Sequence, residues 1–258
     1  MKDYITYLKF DDLSEDELLI EINKSIEGNR KSILCTPNLD GLRICYKDKE
    51  LRDNINKADF VTIDGKPVQW IAKWCKKKQF KYKISGSDLT PKVLELANKM
   101  NYSLVIFGGK EGVAEKAKEN IIRNFPNVIV KTTICPMFGF EKDEELSTKY
   151  INEINSNNAD IILMCTGFPK TEKFIFKNYD LFSSGLYMCV GATVDFLAGN
   201  MKRAPKWMSN VGLEWLYRLF HDFKRLFKRY WLDFWFLIKI FFICHFKKKK
   251  IKSMIDNA

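Results

Sequence analysis

Leu186-Tyr-Met-Cys-Val190-Gly191-Ala-Thr-Val-Asp195-Phe-Leu-Ala-Gly199 reads as a short apolar strand that runs into a glycine turn, a carboxylate and a helix start. A strand without polar alternation is buried on both faces, as strands of parallel sheets are. The same pattern recurs upstream. Ser103 to Phe107 leads to Gly108-Gly109 and a helix from Glu111, and Val128 to Ile134 precedes a helix from Asp143. Ile161 to Cys165 leads to Thr166-Gly-Phe-Pro169 and a helix from Lys170. Ser32 to Thr36, Phe60 to Ile63 and Tyr82 to Ser85 read as further strands, the last followed by a helix from Leu89. Ser14-Glu-Asp-Glu17 has capping-box spacing and opens a helix through about Ile26. Strands alternating with helices predict an α/β fold: a Rossmann-like, mainly parallel sheet with helices on both faces. Ligands of such sheets sit off the carboxyl ends of the strands. Asn38, Asp64, Ser85, Gly108, Gly167 and Asp195 fall at those ends.

Charge divides the chain. The 258 residues allow ample core, and the formal charge is +11. Residues 1–199 hold 29 Lys/Arg against 28 Asp/Glu, whereas residues 200–258 hold 14 against 4. The basic character is therefore local to the C-terminal stretch and aimed at an anionic partner. A nucleic-acid-binding fold would spread it further, so nucleic acid is not expected as a partner. The organisation expected is an α/β catalytic domain over 1–199 and a basic, aromatic helical appendage over 200–258. Seven cysteines without a C-x-x-C pair read as reduced core residues of a cytosolic protein. The first residues lack the apolar core of a signal peptide. With two histidines and no Asp-x-Asp pair, no metal ligands and no metal or other cofactor are expected.

In the appendage, apolar residues at 216, 219, 220, 223, 227, 230, 231, 234 and 238 make a helical stripe. Arg218, Lys224, Arg225, Lys228 and Arg229 lie between them. The apolar run Trp231 to Phe246 is broken by Asp233, Lys239 and His245 and is shorter than the ~20 residues of a spanning helix. With Lys247 to Lys250 behind it, the stretch reads as an interfacial helix on an anionic membrane rather than a span.

Several blocks resemble one family. VGATVDFLAG at 190–199, KRAPKW at 202–207, GLEWLYRL at 212–219 and KRLFKRY at 224–230 resemble the WecG/TagA/CpsF glycosyltransferases. TPNLDGL at 36–42, ADFVTIDGKPVQW at 58–70, KISGSDL at 83–89 and TGFPKTEKFI at 166–175 extend the resemblance, in order, over roughly residues 30–230. The family consists of bacterial enzymes that move a sugar from a UDP-sugar to a lipid-diphosphate-linked N-acetylglucosamine.

The resemblance implies a role for residues that the sequence alone leaves open. Asp64 alone would read as a helix N-cap; in the family block it is the proposed catalytic base, a role a partly desolvated carboxylate suits. Thr36 and Asn38 could be plain turn residues, but the matching positions line the same pocket. Lys83 stands where the family usually has arginine, keeping the charge for a leaving diphosphate but losing the bidentate fork. Thr171 replaces a glutamine that is a proposed substrate contact, and is expected at the cleft surface. Gly108, Gly109 and Gly167 are phosphate-cradle candidates through their backbone N–H groups. Asp195 either lines the nucleotide pocket or braces the Gly191 turn. Arg218, Arg225 and Lys228 are either a solvated face or the cations of a family appendage that closes over the site, with Arg203 on the same basic shelf.

The activity implied is inverting transfer of N-acetylmannosamine or a related hexose in cell-surface polysaccharide or teichoic acid synthesis. The partners implied are a UDP-sugar donor, a lipid-diphosphate acceptor, an anionic membrane surface on the cytoplasmic side, to which the chain binds peripherally, and other copies of the chain. A non-catalytic membrane-peripheral scaffold with a degenerate nucleotide pocket is the alternative, favoured only by Lys83 and Thr171.

Overall fold

The structure, a computed structural model, describes residues 2–76, 80–201, 204–205, 208 and 212–246, without the side chains of Lys2, Lys76 and Arg225. It opens with an antiparallel hairpin of β1 (Lys2–Ile5) and β2 (Leu8–Asp11), which the sequence reading did not foresee. Helix α1 (Glu15–Glu27) follows, with the expected capping box: Ser14 Oγ accepts from Glu17 N, and Ser14 N donates to the Glu17 carboxylate. Then come β3 (Lys31–Cys35), α2 (Leu39–Cys45), α3 (Lys49–Lys57), β4 (Phe60–Val61), α4 (Lys66–Lys76) and α5 (Gly86–Met100). After these the alternation is regular: β5 (Ser103–Gly108), α6 (Val113–Asn124), β6 (Ile129–Ile134), α7 (Glu144–Ser156), β7 (Ile161–Cys165), α8 (Lys170–Lys177), β8 (Gly185–Cys189) and α9 (Thr193–Leu197). The appendage forms α10 (Glu214–His221) and α11 (Phe223–Phe246), separated at Asp222.

The main sheet has six strands in the order β4-β3-β8-β7-β5-β6, and every neighbouring pair is parallel. The α/β expectation therefore holds. One face buries Leu18, Ile22, Leu89, Val93, Ala114 and Val194 from α1, α5, α6 and α9. The other buries Leu42, Ile55, Val68, Ile151 and Phe174 from α2, α3, α4, α7 and α8, together with the hairpin. Strands β3 and β7 thus send their helices to one face, while β8 between them sends α9 to the other. That reversal opens a crevice at the carboxyl ends, where ligands of open α/β sheets bind.

Two expectations need correction. Tyr82–Ser85 is not a strand; it runs beside the end of β4 through single bonds, Ile84 N to Ile63 O at 2.9 Å and Thr62 Oγ1 to Ile84 O at 2.8 Å. Cys75 and Cys244 form a disulfide across 169 residues, with α11 packed on α4, so not every cysteine is a reduced core thiol. Helix α11 packs on the body. Phe236, Ile240, Ile243 and Cys244 belong to the same buried cluster as Val68, Ile71 and Tyr187.

Candidate active site

The site is assembled from loops that leave neighbouring strands. Thr36, just past β3, donates from Oγ1 to Cys189 O at the end of β8, 3.2 Å away. Asn38 caps α2, its Oδ1 accepting from Gly41 N at 3.1 Å. Both are half-buried. Asp64 follows β4 beside them, its backbone N 3.4 Å from Pro37 O. On the next loop Ser85 caps α5, and its hydroxyl donates to Asp88 Oδ2 at 2.7 Å. Gly86 eases a close approach here: an added Cβ would lie 3.1 Å from Thr36 Oγ1 and 3.2 Å from Val190 Cα, so those neighbours would have to give slightly for the α5 N-terminus to press against the mouth of β3 and β8.

Asp64 is half-buried, and its carboxylate accepts no hydrogen bond from the described residues, so it does not cap α4. Burial pushes its pKa up to about 6; Arg218 and Lys83 pull it down, while Glu214 and Asp88 push it up. These four charges are the electrostatic surroundings of the carboxylate, and two of them come from α10. Arg218 is held by Glu214 at 2.6 Å and lies over the Phe196 ring of α9 at 5.2 Å. Lys83 pairs with Asp88 at 3.5 Å. The approach of the appendage is close, since a Cβ on Gly212 would meet the Lys66 side chain at 3.1 Å. A half-desolvated carboxylate that takes a proton near neutrality, facing two cations, suits a general base next to a leaving anion.

The remaining candidates occupy the other half of the crevice. Gly108 ends β5 with φ +122°, and a Cβ there would lie 2.5 Å from the Cys165 carbonyl carbon. Its glycine is thus demanded by the close approach of β5 and β7, whatever else it does. Gly109 and Gly167 also have positive φ, in the loops after β5 and β7. Asp195 lies in α9, half-buried, after the Gly191 turn. From β4 to β5 the crevice spans four strand spacings, about 19 Å.

Residues 4–251 match the Glycosyl transferase WecG/TagA/CpsF family. The chain belongs to that family. It is also 28% identical, over 188 residues, to the N-acetylglucosaminyldiphosphoundecaprenol N-acetyl-beta-D-mannosaminyltransferase of Bacillus subtilis (strain 168). That match covers 73% of this chain and 71% of the relative.

In this glycosyltransferase, Asp64, Thr36, Asn38, Lys83 and Arg218 come together although 182 residues separate the first from the last in sequence order. Thr171 does not join them at the surface. It is 1% exposed, and its hydroxyl lies 2.7 Å from that of Thr166. Its influence on a ligand would run through Thr166 and the Gly167 turn. Lys228 is exposed on α11; Arg203 and the Arg225 side chain lie outside the described residues. Sequence reasoning missed Asp88 and Glu214, although both stand inside the quoted blocks KISGSDL and GLEWLYRL. It also missed Glu172, buried below the site, where burial lifts its pKa to about 8. Glu172, Cys35 and Cys189 bring potential ligating atoms within 4.8 Å of one another inside the core.

Proposed function

We propose that this glycosyltransferase moves N-acetylmannosamine, or a closely related hexose, from a UDP-sugar to a polyprenyl-diphosphate-linked N-acetylglucosamine. Asp64 removes the proton of the acceptor hydroxyl, whose oxygen attacks the anomeric carbon while the bond to the UDP oxygen breaks. One displacement inverts the configuration. Lys83 and Arg218 offset charge on the departing diphosphate. The observation that carries this reading is Asp64 in its charged surroundings, a base with an elevated pKa flanked by cations from two different parts of the chain. The acceptor class comes from the Bacillus relative, whose name states the same pair of sugar and lipid.

The same reading gives α10 and α11 a membrane-facing role. Among the described residues no helix is long and apolar enough to cross a membrane. Yet α11 is apolar on two sides. One stripe, Leu226, Phe236, Ile240 and Ile243, is buried on the body; the other, Phe223, Phe227, Trp231, Phe234, Trp235 and Phe242, is exposed. Lys224 and Lys228 stand beside the exposed stripe. An exposed aromatic stripe edged by lysines fits the headgroup region of an anionic bilayer, where a lipid-linked acceptor resides. The chain then works on the cytoplasmic face, bound peripherally.

The deciding experiment incubates the protein with a panel of UDP-sugars and a short lipid-diphosphate N-acetylglucosamine. UDP release with one donor, dependent on acceptor, is expected. No release with any donor would leave the non-catalytic scaffold as the better reading. Because the pocket supplies its own cations, activity is expected to survive excess chelator. Loss with EDTA, restored by Mg²⁺ or Mn²⁺, would sink the metal-independent mechanism.

A further inference from the structure

Helix α11 meets the body through a charged cluster as well as through apolar contact. Arg43 of α2 donates from Nε to Asp233 Oδ1 of α11 at 2.8 Å, and also pairs with Asp40. Arg229 of α11 reaches back, its Nε 3.0 Å from Asp40 Oδ2 and 3.9 Å from Asp233 Oδ2. Asp40 and Asp233 are buried, 7% and 5% exposed. Two carboxylates and two guanidiniums balance, and each helix contributes to every cross-helix pair. Neither the proposed mechanism nor the core of the sheet uses this cluster.

The Cys75–Cys244 disulfide pins the C-terminal end of α11 to α4, so the contacts in question are those of its N-terminal half, which leads into α10. Apolar contact sets that half loosely, since a local slide of one turn places Leu232 or Ile240 where Phe236 packs on Tyr46. The charges do not tolerate that slide. One turn in one direction brings Arg229 to the place of Asp233, opposite Arg43; one turn in the other brings Leu237 there. Either leaves buried charge unpaired, and registry is the best-attested use of buried ionic groups. The two helices so joined also carry parts of the site. Asn38 caps α2 at its N-terminus, and α11 follows α10, which carries Arg218, with only Asp222 between them.

We propose that Asp40, Arg43, Arg229 and Asp233 form a clasp that fixes the N-terminal half of α11 on α2, away from the Cys75–Cys244 disulfide at its other end, and thereby holds Arg218 over Asp64. They are positioning residues: none touches Asp64. The catalytic consequence rests on the function proposed above, whereas the structural one does not.

Hydrogen exchange and kinetics of the full chain test the clasp. In Asp233→Asn and in Arg229→Met, amide exchange over 214–221 is expected to accelerate about tenfold or more, with β5, β7 and β8 unchanged. Donor KM stays near the parent value while kcat with the lipid acceptor falls. The acid limb of the pH profile moves up, because Asp64 loses the influence of Arg218. Exchanging the charges in the double variant Arg43→Asp with Asp233→Arg is expected to recover protection over 214–221. Unchanged exchange over 214–221 in both single variants overturns the clasp. Faster exchange with an unmoved pH profile and full kcat overturns its positioning role. Should Asp233→Asn fail to fold, Arg229→Met decides, since that side chain is 37% exposed at the edge of the cluster. A parent protein without transferase activity would refute the proposed reaction and leave the exchange result standing.

Discussion

The two parts of the crevice wall are held by different forces. The strand-end loops carrying Thr36, Asp64, Gly108 and Gly167 leave strands that are buried throughout and hydrogen-bonded to neighbours of distant sequence. Arg218 is carried instead by α10, which leads into α11, and α11 is joined to the body by one apolar stripe, a few charges and the Cys75–Cys244 disulfide. The first arrangement is set by the whole core, so single changes barely move it. The second depends on fewer contacts, concentrated on one helix. The proposed base therefore sits on the more firmly held side, and its proposed cationic partner on the other.

Asp64→Asn probes the more firmly held side and carries the largest expected effect. The fold is expected to persist while turnover falls by roughly 10²–10⁴. A folded variant with near-normal turnover would remove Asp64 from the mechanism. Arg218→Met probes the other side. Transfer is expected to fall by about 10²–10³, as when one donor to a developing anion is lost. Its second effect sharpens the comparison. With a pKa near 6 the Asp64 carboxylate is protonated below that value, so kcat/KM is expected to drop on the acid side of about pH 6 if Asp64 is the base. Without the guanidinium the pKa rises, and the acid limb should shift toward neutrality. An unshifted limb would show that Arg218 does not sense Asp64.

Membrane contact separates the two regions differently. Removing residues from about 231 onward would strip Phe236, Ile240 and Ile243 from the core, so truncation would confuse anchoring with folding. Phe227→Ser, Trp231→Ser and Trp235→Ser together alter only the exposed stripe, where these residues are 48–53% exposed. The triple variant is expected to lose about tenfold or more in binding to anionic vesicles and to keep its melting temperature. Unchanged vesicle binding would assign that stripe to another partner.

The smallest effect belongs to the core. Burial lets Glu172 hold its proton to about pH 8 in the fold, against an ordinary glutamate value of 4.5 in the open chain. The folded state therefore binds about one more proton between those values, and stability falls as pH rises through that window. Glu172→Gln should leave stability at pH 5 nearly unchanged and flatten the decline toward pH 8. A parallel decline in both proteins would mean that another group titrates.

The strands of the sheet were legible because both-face burial writes uninterrupted apolar runs such as Ile161–Cys165. Tyr82–Ser85 misled because one backbone bond and one from the Thr62 hydroxyl suffice to lay the segment beside the end of β4 without a ladder. The hairpin escaped because its turn, Thr6-Tyr7, has neither glycine nor asparagine, and Thr6 takes φ +60° regardless. Asp64, Thr36 and Asn38 could be placed at strand ends from pattern alone, but their roles came from the family blocks. The meeting of Arg218 with Asp64 has no local sign, since nothing in either stretch encodes contact across 154 positions. Asp233 was legible only as a flaw in an apolar run, because its partner Arg43 lies on a helix 190 residues away. Thr171 looked like a cleft residue because its block is one; burial by the Thr166 contact is a property of the packed loop.

The place of α11 in the sequence sets the timing of activity during synthesis. Strand β8, which completes the middle of the sheet, and α11, which covers α4, are translated after nearly everything they touch. While residues 212–246 are still inside the ribosome, the nascent sheet can carry Asp64 but not Arg218, and the apolar face of α4 lacks its cover. A growing chain thus holds Asp64 well before it holds the guanidinium that faces it, and under the proposed mechanism sugar transfer waits for the last long helix to emerge.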